Sequence, residues 1–345
     1  MAYTTINKST DYFNTKLWTG TGAENAITGV GFQPDWVWIK NRDASEHHKL
    51  YDAVRGANKV IYSNLTNAEA TVTQDVKSFD SDGFTLGTES AVNASGQDIV
   101  GWNWKAGGSG SSNEDGTVNT TSTSVNTTAG FSISKLDTGT PGNLSFGHGL
   151  GVAPKVVFIK TTSGGGNWII GHDDIGWGKY LHLNLADAEA SSTTVWQNTA
   201  PTSSVVTTNH TFIYGTGATI VSYCFAPKQG FSAMGSYTGN GNADGVFIYT
   251  GFKPAWIMIK NSSRASENWN IIDNKRDGYN GSNENLAPNL SGAESSGNNR
   301  WDILSNGFKC RDTNNEVNNS GDTYIYMAFA EASFVNSKGV PCNAR

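Results

Sequence analysis

Gly31-Phe32-Gln33-Pro34-Asp35-Trp36-Val37-Trp38-Ile39-Lys40 is the stretch on which the reading of this chain turns. It returns as Gly151-Val152-Ala153-Pro154-Lys155-Val156-Val157-Phe158-Ile159-Lys160, and again as Gly251-Phe252-Lys253-Pro254-Ala255-Trp256-Ile257-Met258-Ile259-Lys260. Each copy is a glycine, two variable residues, a proline, and a strand-like run ending in Ile-Lys. Side chains alternate faces along a strand, so Val37 and Ile39, Val157 and Ile159, and Ile257 and Ile259 form one β-branched face, expected to be core. Trp36 and Trp38, Val156 and Phe158, and Trp256 and Met258 form an opposite face that is also apolar, which predicts a strand covered on both sides. The proline is expected just before the strand, where its missing N–H costs no ladder bond.

Working outward, the similarity continues in the same order in all copies. Asp52, Asp173 and Asp273 follow their prolines by 18, 19 and 19 residues. Asn64-Leu-Thr-Asn-Ala-Glu69, Asn184-Leu-Ala-Asp-Ala-Glu189 and Asn289-Leu-Ser-Gly-Ala-Glu294 share Asn-Leu-x-x-Ala-Glu, read as short helices capped by the Asn. Each copy closes on an alternating run: Val100-Gly-Trp-Asn-Trp104, Val221-Ser-Tyr-Cys-Phe225 and Ile325-Tyr-Met-Ala-Phe329. In the first, Val100, Trp102 and Trp104 point one way and Gly101 and Asn103 the other, which predicts a half-buried strand. Ser81-Asp82-Gly83-Phe84 and Ser305-Asn306-Gly307-Phe308 carry hairpin chemistry, whereas the second copy has Asn209-His210-Thr211-Phe212.

The expected fold class is all-β, as three tandem β-sandwich-like modules of roughly 100 residues each. Repeat 1 is placed at 1–106, a Gly/Ser/Thr-rich linker at 107–127, repeat 2 at 128–229, repeat 3 at 230–334, and a C-terminal tail at 335–345. Repeats 2 and 3, joined without a spacer, should pack together.

Composition agrees with short strands and many turns: 40 Gly, with 11 Trp, 12 Tyr and 15 Phe supplying bulk in place of aliphatics. The net charge of -6 without a Lys/Arg cluster argues against a nucleic-acid partner. No apolar run is long enough to span a bilayer, so no membrane insertion is expected, and the N-terminus lacks the apolar core of a signal peptide. Cys224, Cys310 and Cys342 have no metal-ligand spacing and read as reduced thiols of a protein folded in a cytoplasm.

These motifs resemble a family of repeats found in virion proteins of marine bacteriophages, often in proteins labelled tail-fibre-like. The resemblance rests on Asp11-Tyr-Phe-Asn-Thr-Lys-Leu-Trp-Thr-Gly20, the post-proline stretch, Tyr51-Asp-Ala-Val-Arg-Gly56, Gly147-His-Gly-Leu-Gly-Val-Ala-Pro154 and the final Cys342-Asn-Ala-Arg345, and covers nearly the whole chain. It implies a phage particle as the location, with assembly in the host cytoplasm, and no activity. In contrast to long tail fibres, neither a heptad stalk nor an N-terminal anchor domain before the first repeat is expected.

Asp52, Asp173 and Asp273, with the Asn and Glu of the shared motif, read as turn caps and backbone partners, since a catalytic site needs several cooperating groups. Adjacent Asp173 and Asp174 on a strand would face opposite ways, which does not suit the paired carboxylates of glycoside cleavage. His47, His48 and His172 read as surface or turn histidines. Asp80-Ser-Asp82-Gly and Asp312-Thr-Asn-Asn-Glu316 are oxygen-rich but incomplete as calcium loops. Gly164-Gly-Gly166 reads as a flexible turn without the Lys-Ser/Thr of a phosphate loop. Trp177, Tyr180, Trp196 and Tyr279 could stack on a ligand but are read as filling core edges. No catalytic, metal or cofactor site is therefore expected, and no binding residue is singled out. The expected function is non-enzymatic: an adhesion or receptor-binding component of a phage tail, oligomeric in the particle. Its expected partners are other virion proteins and a host cell-surface glycan or receptor. The alternative is a capsid decoration protein, and a glycan-degrading enzyme is a distant third.

Overall fold

In the computed structural model, which describes residues 3–139, 142–209, 217–276, 280–281, 283–336 and 338–340, the chain is nearly all β and every strand pairing is antiparallel. Three large sheets each draw their strands from one stretch of chain. The first runs Phe13–Thr19, Asp98–Trp104, Trp36–Asn41, Lys49–Asp52, Gly56–Tyr62, Ala70–Thr71. The second runs Ser122–Asn126, Phe131–Asp137, Thr219–Phe225, Val156–Thr161, Ile169–His172. The third runs Ser232–Thr238, Thr323–Ser333, Phe252–Asn261, Asn270–Asp273. In each, the post-proline strand is central, between the closing strand and a short strand that returns antiparallel to it.

The β-branched face of each central strand packs under a smaller sheet, giving a sandwich. Ile39 lies at 0%, Ile159 at 0% and Ile259 at 1% exposure, each in a separate apolar cluster. In repeat 1 the covering sheet is Asn25–Thr28, Gly83–Leu86 and Val76–Asp80, which adds Ile27, Phe84 and Val76 to that core. Hairpins form at both sites, but they turn on Ser81-Asp82 and Ser305-Asn306, and Gly83 and Gly307 open the returning strands instead of sitting in the Asp-Gly and Asn-Gly turns expected. Gly83 and Gly307 are required there by crowding: a Cβ would stand 1.8 Å from the Ile27 carbonyl oxygen and 2.0 Å from that of Ile248.

The opposite, aromatic face of the central strands builds something the repeat pattern did not disclose. Trp36, Trp38, Trp102 and Trp104 join Phe131, Phe158, Tyr223 and Phe225, and Trp256, Met258, Met327 and Phe329, in one buried cluster shared by all three repeats. Trp36 stacks on Tyr223 at 4.7 Å, Trp104 meets Trp256 edge-on at 5.4 Å, and Phe225 lies 6.1 Å from Phe329. Every repeat thus touches both others. The large sheets surround a common aromatic core, with a small-sheet core outside each, so the repeats form a closed cycle instead of a string.

Several expectations are corrected. The closing strands are buried on both faces, not half-buried: Asn103 is fully buried, and Gly101 lies under Trp18. The 107–127 stretch is not a free linker, because Ser122–Asn126 is an edge strand of the second sheet and Ser111 bridges to Thr123. Its glycines permit the close approach; a Cβ on Gly110 or Gly116 would come within 2.4 or 2.3 Å of a backbone oxygen. The Asn-Leu-x-x-Ala-Glu segments contain no helix. Pro254 lies within a strand, where register shifts on either side take up its missing donor. Cys342, Tyr279 and His210–Phe212 lie outside the described residues.

Candidate functional site

The polar residues that recur between repeats converge on the junctions of this cycle. The register fixes their equivalence: Asp52 pairs with Trp36 and Asp273 with Trp256, while His172 pairs with Val156. The residue in repeat 2 that corresponds to Asp52 and Asp273 is therefore His172, not Asp173. Repeat 3 carries one more residue than the others between Lys260 and the returning strand, so counting from the proline misaligned the copies.

At the junction of repeats 1 and 2, Asp52 Oδ1 accepts from the backbone of Val54 and Arg55, and Oδ2 accepts from Arg55 Nε at 2.5 Å and from the Tyr223 hydroxyl at 2.7 Å. Arg55 also donates to the carbonyls of Leu50 and Lys59 and to Glu69. Asp52 and Arg55 side chains are fully buried. Burial works against the Arg55 charge, but Asp52, Tyr223 and Glu69 outweigh it and raise its pKa; burial likewise lifts Tyr223 well above the usual phenol range. At the junction of repeats 3 and 1 the same figure returns. Asp273 Oδ2 accepts from Arg276 Nε at 2.6 Å and from the Trp102 indole N–H at 2.9 Å, and Arg276 reaches Glu294 at 2.6 Å. Burial pushes Asp273 up, yet Arg276 overrides it and holds the carboxyl below its usual range.

The junction of repeats 2 and 3 departs from this pattern in a coordinated way. His172 replaces the aspartate, Ile175 replaces the arginine, and Met327 stands where Trp102 and Tyr223 donate. His172 Nδ1 accepts from Asp174 N at 3.2 Å, and Nε2 donates to the Tyr326 carbonyl at 3.3 Å. Both ring nitrogens are thus engaged by the neutral imidazole, and burial lowers its pKa. Phe158, Met258 and Trp269 line a cavity of about 10 Å³ beside it.

The shared loop motif closes the cycle. The N–H of Glu69 donates to the Thr162 carbonyl, that of Glu189 to Ser262, and that of Glu294 to Arg42, which passes from repeat 1 to 2, 2 to 3 and 3 to 1. The motif's Asn braces its own repeat: Asn184 and Asn289 accept from the backbone N–H of Trp168 and Trp269, whose side chains are indoles, and Asn64 bonds His47. Those indoles then donate across the junctions, Trp168 to the Tyr62 carbonyl at 2.8 Å and Trp269 to that of His182 at 3.0 Å. His48 holds the corresponding place in repeat 1; it accepts from Trp38 Nε1, and the Ala287 carbonyl faces it. Lys160 reaches the Thr66 carbonyl and Lys260 that of Ala186, and burial lowers Lys40, Lys160 and Lys260 to about 8.

The remaining candidates serve the fold. Asp173 is half-exposed and binds Lys155 and the Trp177 indole. His48 and His172 are buried, contrary to the surface reading. Asp80 accepts from Ser78 and Thr85, Asp82 from the backbone of Gly29 and Gly31, and Glu316 from Arg300 and Asn268. Gly166 docks on Thr66 of repeat 1 and so is not a free turn. Trp177 and Trp196 are buried edge to face at 5.3 Å, and Tyr180 packs partly buried against their cluster. Among the described residues no group of three or more His, Cys, Asp or Glu is placed to hold a metal ion, and no helix is long and apolar enough to cross a membrane. Sequence reasoning passed over Arg55, Arg276, Tyr223 and Trp102. The signal for the first two was Asp-x-x-Arg, present at Asp52 and Asp273 and broken in repeat 2.

A family model described as a domain of unknown function, DUF7483, matches residues 8–333 and takes in all three repeats; the chain belongs to that family. No curated protein and no solved structure matches it.

Proposed function

We propose that this member of the family is a non-enzymatic structural protein of a phage particle, acting through surface contact as an adhesion or receptor-binding component of the tail. The observation that carries this reading is the use to which the shared polar residues are put. The acids, bases and amides common to the repeats hold one repeat to the next in the interior, as Asp52, Arg55, Glu69 and Tyr223 do between repeats 1 and 2. A cyclic core presents several loops at once on a rigid support, and copies on a particle gain from multivalency when geometry allows simultaneous engagement. The resemblance to virion repeats supports the phage setting.

A second reading, capsid decoration, is favoured by one observation. The repeats contact one another as 1 to 2, 2 to 3 and 3 to 1, which matches the form of a local three-fold site better than that of an extended fibre. Immunogold or cryo-electron microscopy of intact particles tests both. Label on the tail together with binding of purified protein to host cells supports the first, and label on the shell the second. Absence from particles, or sustained release of shortened glycan fragments by the purified protein, overturns the proposal.

A further inference from the structure

We propose that a small cavity between repeats 1 and 3, largely apolar in lining but bordered by residues with unsatisfied oxygens, is a built hydration site that takes one or two water molecules. The cavity measures about 30 Å³ and is lined by Phe13, Thr15, Ala255, Asn274, Lys275 and Glu331, among others. A water needs roughly 10–15 Å³ of such space, so one or two fit and a metabolite does not.

Its oxygens are the reason to assign it. Among the described residues, Thr15 Oγ1 and Asn274 Oδ1 are buried without a hydrogen-bond partner. Glu331 Oε2 is ion-paired with Lys253 at 2.6 Å and is otherwise unpartnered. Thr15 as a whole is only 6% exposed. Buried polar atoms without partners are uncommon, because each keeps its full desolvation penalty when nothing satisfies it.

The internal repeat supplies a control. Thr15 pairs with Trp102 as Ile133 pairs with Tyr223 and Met234 with Met327. Asn274 donates its backbone N–H to Ala255 O as Ala53 does to Asp35 O. Glu331 lies two residues beyond Phe329, as Ala106 lies two beyond Trp104. Ile133, Ala53 and Ala106 are thus the counterparts, around the junction of repeats 1 and 2, of Thr15, Asn274 and Glu331. The fold does not demand polarity at these positions, yet all three are polar together where they share a cavity.

The donor set selects the occupant. Carboxylate and amide oxygens need a species that donates. Lys253 and Lys275 more than balance the Glu331 charge, which disfavours a metal cation and leaves water, a neutral donor of the right size.

A high-resolution crystal structure of the full chain is the test, with a second crystal soaked in rubidium. Density for a water within hydrogen-bond distance of both Thr15 Oγ1 and Asn274 Oδ1 is expected. Its absence, those oxygens turned to protein partners, or an anomalous rubidium peak in the cavity would each overturn the assignment. The triple variant T15I/N274A/E331A, which imports the residues of the other junction, should lose the water. The wild-type map decides the matter even if that variant fails to fold.

Discussion

The Tyr223 hydroxyl of repeat 2 donates to Asp52 Oδ2 of repeat 1 at 2.7 Å, 171 residues away along the chain and fully buried. One residue closes the ion pair of another repeat, so the junction is energetically shared. Tyr223→Phe removes this donor while Arg55 still pairs Asp52, and a loss of ~1.5–3 kcal/mol is expected, the range for hydrogen bonds to charged groups. A double-mutant cycle with Asp52→Asn by urea denaturation checks it. Additive losses would show that the two residues are not coupled.

Asp52→Ala and Asp273→Ala each leave a buried guanidinium without its main partner and should cost about 3–5 kcal/mol. Asp173→Ala should cost less than either, about 1 kcal/mol, because its exposed side chain gives up only a loose pair with Lys155 and one hydrogen bond from the Trp177 indole. Equal effects at all three aspartates would contradict the assignment of His172 as the true counterpart.

Ile39→Ala, Ile159→Ala and Ile259→Ala each open a cavity in a separate small core, with an expected cost of about 2–5 kcal/mol. Calorimetry should show one cooperative transition lowered in each variant, since the repeats share their central core. Separate transitions for separate repeats would refute that coupling.

His48 and His172 have pKa values lowered by burial. Between the folded value and the unfolded value near 6.5, the unfolded chain binds more protons, so stability is full above about pH 6.5 and falls as the solution is acidified below it. A midpoint of thermal unfolding that drops from pH 7.5 to pH 5, and drops less in His172→Asn, is the expected result. A profile unchanged by that substitution would remove His172 from the account.

A fragment of residues 1–106 would uncover Trp36, Trp38, Trp102 and Trp104, which the full chain buries against repeats 2 and 3. Gel filtration and near-ultraviolet circular dichroism should find it associated or loosely packed. A monomeric fragment with the full chain's thermal stability would show that the central core is dispensable.

The alternation Trp36-Val37-Trp38-Ile39 was enough to read a strand covered on both sides, and the many short alternating runs around it the all-β class. A local period reveals that a face is buried, since strand geometry sets which side chains share it. It carries no record of what does the burying. That Trp36 meets Tyr223 and Trp104 meets Trp256 follows from the packing of the three sheets, because those partners are far apart in sequence. For the same reason Asp173 passed for an equivalent of Asp52. Spacing counts residues along the chain, whereas the hydrogen-bond ladder absorbs an inserted residue in a loop and assigns the position to His172.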